Sequence, residues 1–304
     1  MTDHDRPGPG HHHPHGGAHP DWEVLGPHLE RGAELYLPLY EQAVSWLCER
    51  PGGAAGGLVP GGVLRVLDIG SGPGVVSCLL ARAFPNAEVV AVDATVALLE
   101  RARDRADRLG LGDRVHTHLA EVPDGLDALG GADLIWSGRA LHHVGDQRAA
   151  VAALAGHLRP GGLLAIAEGG LPARHLPRDP GIGRPGLQSR LDAAGEEWFT
   201  QMRAALPDAA DEAEDWPAFL ADAGLRAPCS RSFLLDLPAP LGAAARAHAV
   251  ATLALARDMY GERLDEDDRG TLARLTDPED AAGVTRRPDA FVLAARTVHT
   301  ARAQ

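Results

Sequence analysis

Lysine is missing from this 304-residue chain, so all 29 of its basic side chains are arginines. Together with abundant Ala, Gly and Pro, that pattern reads as compositional bias and carries no chemistry. Basic residues are also in the minority: 42 acidic side chains leave a formal net charge of −13, and no basic stripe runs against it. Such a surface repels a phosphate backbone, which excludes nucleic acid as the expected partner. Cysteine is scarce as well. Cys48, Cys78 and Cys229 stand far apart with no CxxC or CxxxC spacing, so neither a disulfide framework nor a zinc site is expected. No stretch reaches the roughly 18 uninterrupted apolar residues of a membrane-spanning helix. The opening MTDHDRPGPG lacks the basic-then-apolar order of a secretory signal, so the expected address is the cytoplasm, with no membrane partner.

What is present is 45% hydrophobic residues, enough to bury one large core or one core plus a smaller subdomain. Residues 1–20 do not contribute to it. His4, His11, His12, His13, His15 and His19 stand there among Gly and Pro, which predicts a disordered tail with no defined metal site. Residues 21–62 form the next unit. Leu25, Leu29, Leu35, Leu39, Val44 and Leu47 recur at helical spacing, broken by Pro27 and Pro38, and predict two or three short helices before the spacer PGGAAGGLVPGG.

From Val63 the pattern changes to alternating strands and helices. VLRVLDIG, AEVVAVD, RVHTHLAE, ADLIWS and LLAIAE read as five strands. PGVVSCLLARAFP, TVALLERARDRADRLG and DQRAAVAALAGHLRPGG read as helices, the last with a Pro-Gly stop. This is the signature of βαβ units, hence an α/β fold with a parallel sheet covered on both faces. Residues 63–170 make that core.

Between the first strand and its helix lies VLDIGSGPG, with three glycines in five residues after an acid. Ligands bind at the carboxyl ends of strands in such sheets, so this turn is the leading site, and dinucleotides and S-adenosylmethionine both use it. A dinucleotide fingerprint needs G-x-G-x-x-G/A. Counted from Gly70 the third small residue is replaced by Val75, and counted from Gly72 by Ser77. Asp68 would also repel a pyrophosphate, whereas it suits a sulfonium cofactor that carries an amino group.

VLDIGSGPG resembles the first motif of the class I S-adenosylmethionine-dependent methyltransferases, and the similarity runs from about Leu64 to Glu168. The resemblance implies a Rossmann-like sheet of seven strands. It also implies backbone contacts to the methionine part of S-adenosyl-L-methionine from Gly70, Ser71, Gly72 and Gly74, with Asp68 behind them. VVAVDAT places Asp93, with Ala94 next to it, where ribose hydroxyls would be accepted; the other reading of Asp93 is an N-cap for a helix starting at Ala94. In HLAEVPDGL, Glu121 falls where an acid meets adenine, with Asp124 as the alternative acid and a surface role as the other reading. ADLIWSGRALHHV resembles the fourth-strand pattern, whose Ser137 to Arg139 would border the methionine and the methyl group, while Asp133 reads as structural.

Residues 171–304 leave the resemblance and are expected to build the acceptor side. LQSRLDAAGEEWFTQMRAAL, DWPAFLADAGL and the stretch from about Leu241 to Leu275 read as helices. CSRSFLLDLP and DAFVLAARTV read as the last two strands. The helices between those strands are expected to form a lid, and the N-terminal helices and the region from about Leu171 to Leu225 to cap the site together. Trp22, Tyr36, Tyr40, Trp46 and Trp198 either wall an apolar pocket or pack in the core. A hydroxyl acceptor needs its proton removed, and His142 and His143 lie just past the fourth strand, either as a base, with His143 the expected one, or as packing for the loop. The expected function is transfer of a methyl group from S-adenosylmethionine to a small-molecule acceptor, such as a secondary metabolite. The alternatives are a protein or peptide methyltransferase, a noncatalytic cofactor-binding scaffold, and a dehydrogenase. Nothing in the sequence selects an oligomeric state.

Overall fold

The computed structural model describes residues 22–49 and 57–304. The His-rich tail and most of the glycine-rich spacer lie outside the described residues. Two helices come first, α1 (Trp22–Leu35) and α2 (Leu37–Glu49). Pro27 sits within the second turn of a continuous α1, and Pro38 in the first turn of α2, where its missing N–H is tolerated. The break therefore falls at Tyr36 and at neither proline.

The core alternates as the pattern predicts: β1 (Arg65–Ile69), α3 (Val75–Ala83), β2 (Glu88–Asp93), α4 (Val96–Arg108), β3 (Val115–Leu119), β4 (Ala132–Gly138), α5 (Gln147–Gly156) and β5 (Leu158–Arg174). The second half adds α6 (Leu187–Ala204), α7 (Trp216–Asp222), β6 (Arg226–Leu237), α8 (Ala243–Tyr260), α9 (Glu266–Thr276) and β7 (Val292–Arg302). The strands form one sheet in the order β3-β2-β1-β4-β5-β7-β6. The first five are parallel, and β7 runs antiparallel between β5 and β6. This is the seven-stranded Rossmann-like arrangement that the resemblance implies, with two helices inserted between the last two strands.

Alternation along each strand divides the core into two layers. Val66, Leu134, Trp136 and Ala165 face α2, α3 and α8, whereas Leu67, Ile69, Ile135 and Ile166 face α5 and α7. Two boundaries differ from the sequence pattern. The helix expected to end at the Pro-Gly pair stops at Gly156 instead, and Pro160, Gly161 and Gly162 lie within β5, held by Arg302 donating to the Gly161 carbonyl and the Ala303 N–H to that of Gly162. The same strand runs on through the Gly- and Pro-containing GGLPAR because β7 pairs with it at Gly170, Leu171 and Arg174. Tertiary pairing overrides local composition in both places. No described helix is long and apolar enough to cross a membrane.

Candidate functional site

Strand order reverses between β1 and β4, so their carboxyl ends open a crevice between the loop 70–74 and the segment that leaves β4. The three loop glycines have different reasons to be glycine. A Cβ on Gly70 would stand 2.2 Å from Ala140 Cβ, and one on Gly74 would stand 2.6 Å from Ala102 Cβ, so the protein itself excludes side chains there. A Cβ on Gly72 would meet nothing within 4 Å. Gly72 alone faces open space.

The loop's donors are all engaged internally. The Gly70 and Ser71 N–H groups donate to the Val92 carbonyl at 2.8 and 3.0 Å, the Gly72 N–H donates to Asp93 Oδ2 at 2.9 Å, and the Gly74 N–H donates to the Ser71 carbonyl at 3.1 Å. Pro73 has none to give. A phosphate would find no N–H free in the loop, while a cationic ligand would meet carbonyl oxygens and nearby acids.

Asp68 shares the α3 side of β1 and is 2% exposed, with Ser77 Oγ donating to Oδ2 at 2.5 Å. Burial pushes its carboxyl up to about 7, against the lowering effect of Ser77 and with a further push from Asp93. Asp93 accepts from Thr95 N–H through Oδ1 at 2.9 Å as well as from Gly72, so it ties the end of β2 to the loop. The N-cap of α4 is Thr95 rather than Asp93, because the helix starts at Val96 and not at Ala94; Ala94 is exposed in the intervening turn. Two lone pairs of the Asp93 carboxylate are left for a ligand. The Ala120 N–H donates to the Asp93 carbonyl, which brings the end of β3 beside it. Glu121 and Asp124 follow on an exposed turn, and neither has a hydrogen-bond or ion-pair partner among the described residues. Ser71 Oγ and Ser137 Oγ are buried without a partner, and Ser137 is fully enclosed on the α5 side of β4. Asp133 is structural, accepting from the Leu64 and Arg65 N–H groups and from Arg159.

Past β4 the two histidines differ. His142 Nδ1 lies 2.9 Å from Glu168 Oε2 at the end of the parallel run of β5, and the other Glu168 oxygen accepts from the Leu141 N–H at 2.9 Å. Burial pushes Glu168 up, but the bond and charge of His142, the Arg139 charge and the Leu141 N–H outweigh it and hold the carboxyl below its ordinary range. Phe199 of α6 packs on the His142 ring at 5.8 Å, and His143 on its other neighbour side at 4.1 Å. Arg203, one turn along α6, donates to the carbonyls of His142, Val144 and Gly145. Glu168 and Arg203 were not assigned a role from the sequence. The signal for Glu168 was there: a charged residue at the ligand end of an apolar strand.

α1 bridges α4 and α8 on the α3 face of the sheet. Glu30 pairs with Arg101, Arg105 and Arg108 of α4, and His28 stacks on His248 of α8 at 5.8 Å. Of the aromatic residues, Tyr36, Tyr40 and Trp46 are buried, Tyr40 edge-on to Trp136 and Trp46 against Phe233. Trp198 is half-buried beside Tyr260, and the Trp22 side chain lies outside the described residues.

Residues 66–162 match the family model described as "Methyltransferase domain". An uncharacterized methyltransferase of Mycobacterium bovis is 38% identical over 111 residues, 36% of this chain and 52% of that protein. A trans-aconitate 2-methyltransferase of Methylobacterium radiotolerans is 36% identical over 102 residues, 33% of this chain and 36% of that one. The methyltransferase GfsG of Streptomyces halstedii is 34% identical over 154 residues, 51% and 50% of the two chains. The chain thus spans about half the length or less of the curated relatives it matches. The matched segment begins in β1, ends in β5 and holds the glycine loop, Asp93 and the histidine pair, so residues 66–162 carry the likeness to a methyltransferase domain.

Proposed function

We propose that the protein transfers a methyl group from S-adenosylmethionine to a small-molecule acceptor. The observation that carries this reading is the loop itself: its N–H groups are spent on β2, Asp93 and Ser71, Gly72 is open, and the Asp93 carboxylate stands beside it. That arrangement fits a ligand with an ammonium, a sulfonium and ribose hydroxyls, and does not fit a pyrophosphate. When bound, S-adenosylmethionine supplies a methyl group activated by the positive sulfur. Gly70, Ser71, Gly72 and Gly74 would hold its methionine part, Asp93 and Ala94 its ribose, Glu121 its adenine, and the Ser137 backbone would border the methyl. The name of the relative trans-aconitate 2-methyltransferase supports a small acceptor over a protein.

For a hydroxyl acceptor, the geometry favours His142 over His143 as base. Glu168 accepts from Nδ1–H, which leaves Nε2 of His142 to take the acceptor's proton. α1, α6 and α8 act as the cap that excludes water while alignment supplies much of the rate. Methyl-labelled cofactor incubated with the protein and a metabolite extract tests the reading, together with calorimetry. Expected are binding of S-adenosylhomocysteine, none of NAD, and label in a small product. Tight NAD binding with no sulfur-cofactor binding overturns the proposal, and cofactor binding without transfer to any product makes the protein a scaffold.

A further inference from the structure

The crevice has a second electrostatic end. Arg139 leaves β4 with φ 56, a left-handed conformation that strains a residue with a Cβ, and such strain is characteristically kept where a side chain must be aimed. Its side chain is exposed and makes no hydrogen bond or ion pair among the described residues. Arg296 of β7 approaches the same region: its guanidinium lies 5.2 Å over the Tyr36 ring, donates only to the Leu171 and Ala295 carbonyls, and keeps a buried Nε with no partner. The acid that faces both is Glu168, and its oxygens are already engaged by His142 and Leu141. In a chain of net charge −13, these two arginines put positive charge beside β5 with no free carboxylate paired to it.

The sheet register sets the two arginines along one strand: the Arg139 N–H donates to the Ala167 carbonyl at 3.1 Å, and Arg296 pairs with Gly170 of the same β5. Burial, then Arg31 and Arg139, lower His28; burial, then His28 and Arg139, lower His248 to about 4; burial and then Arg139 lower Arg296. Asp68, at the glycine-loop end, responds to Ser77 and Asp93 instead.

Resting on the methyltransferase reading, we propose that the methyl acceptor is an organic acid whose carboxylate is held by Arg139 and Arg296, beside the rings of Tyr36 and Tyr40. The crevice is then bipolar, with acids where a cationic cofactor binds and arginines where an anionic acceptor binds. The same carboxylate chemistry is present in the amino-acid part of the cofactor, and the test separates the two sources.

The full chain, saturated with S-adenosylhomocysteine, is titrated with a panel of aromatic and aliphatic carboxylates, each paired with its primary amide. At least one acid is expected to bind 10-fold or more tighter than its amide, and Arg139→Gln and Arg139→Gly, the latter free of backbone strain, are expected to erase that preference. The proposal is overturned if no acid outbinds its amide or if the preference survives both substitutions. It is also overturned if Arg139→Gln weakens S-adenosylhomocysteine 10-fold but spares 5′-methylthioadenosine, which lacks the carboxylate, for then the arginine serves the cofactor. Failure of the parent to bind S-adenosylhomocysteine at all would sink the methyltransferase reading with it.

Discussion

At the residue scale, three glycines that look alike in the sequence separate by what lies beyond them. Gly72→Ala puts a methyl group into open space at φ 53, a conformation that costs about 1 to 2 kcal/mol for a residue with a Cβ. The variant should melt cooperatively within several degrees of the parent yet lose 10-fold or more in affinity for S-adenosylhomocysteine by calorimetry; normal affinity would remove the loop from the site. Gly70→Ala drives a Cβ into Ala140, and Gly74→Ala into Ala102, so both should lower the melting temperature well beyond the Gly72 variant. Asp93→Ala should weaken the cofactor by roughly 10- to 150-fold, since hydrogen bonds to a charged acceptor are worth about 1.5 to 3 kcal/mol. Unchanged affinity would reduce Asp93 to its ties with Gly72 and Thr95.

At the element scale, the connection from β4 to α5 is shaped from outside by α6. Arg203 holds three of its carbonyls, and the chain after α6 packs so closely that a Cβ on Gly145 would stand 1.8 Å from the Pro207 carbonyl oxygen. The ring of His142 is fixed at one end by Glu168 and on one face by Phe199. If the acceptor is a hydroxyl, His142→Gln should keep cofactor affinity and lower turnover by about 100- to 10,000-fold, while His143→Gln should retain most activity. The reverse pattern would move the proton to His143, and full activity in both would leave alignment as the main source of rate. None of these partners is near His142 in sequence, so the HHV motif showed where a base could stand and not which histidine is held for the task.

At the scale of the whole molecule, two buried groups set opposite responses to pH. His175 is 1% exposed with neither ring nitrogen partnered; burial, then His248, lower it to about 4, with a small opposing effect from the Phe291 backbone. The unfolded chain takes up that proton near 6.5 and the folded one refuses it until about 4, so stability is complete above 6.5 and lost as pH falls through that window, by about 3 kcal/mol. Asp68 acts in the other sense: its folded value of about 7 exceeds the ordinary 3.8, so its contribution is present at low pH and is lost as pH rises through 7. Melting temperature should therefore fall from pH 6.5 towards 4 less steeply in His175→Leu than in the parent. Asp68→Asn should melt higher than the parent at pH 8, with the difference gone near pH 4. Parallel pH curves for parent and variants would show that neither group titrates as its burial dictates.

The sequence by itself determined the alternation of strands and helices, the glycine turn after an acid, and Asp93 at the end of the second strand, because each rests on requirements met by near neighbours: side-chain period, backbone φ and turn donors. Tertiary structure decided which glycine faces open space, since Ala140 and Ala102 arrive from other elements. It also decided how far β5 runs, through its register with β7, and it joined His142 to Glu168 and brought Arg139 and Arg296 to the same strand. Those juxtapositions follow from an antiparallel strand threaded between β5 and β6, and from α6 packed on the segment that leaves β4. Local propensity carries no record of such long-range pairing; only packing the whole chain around one sheet selects it.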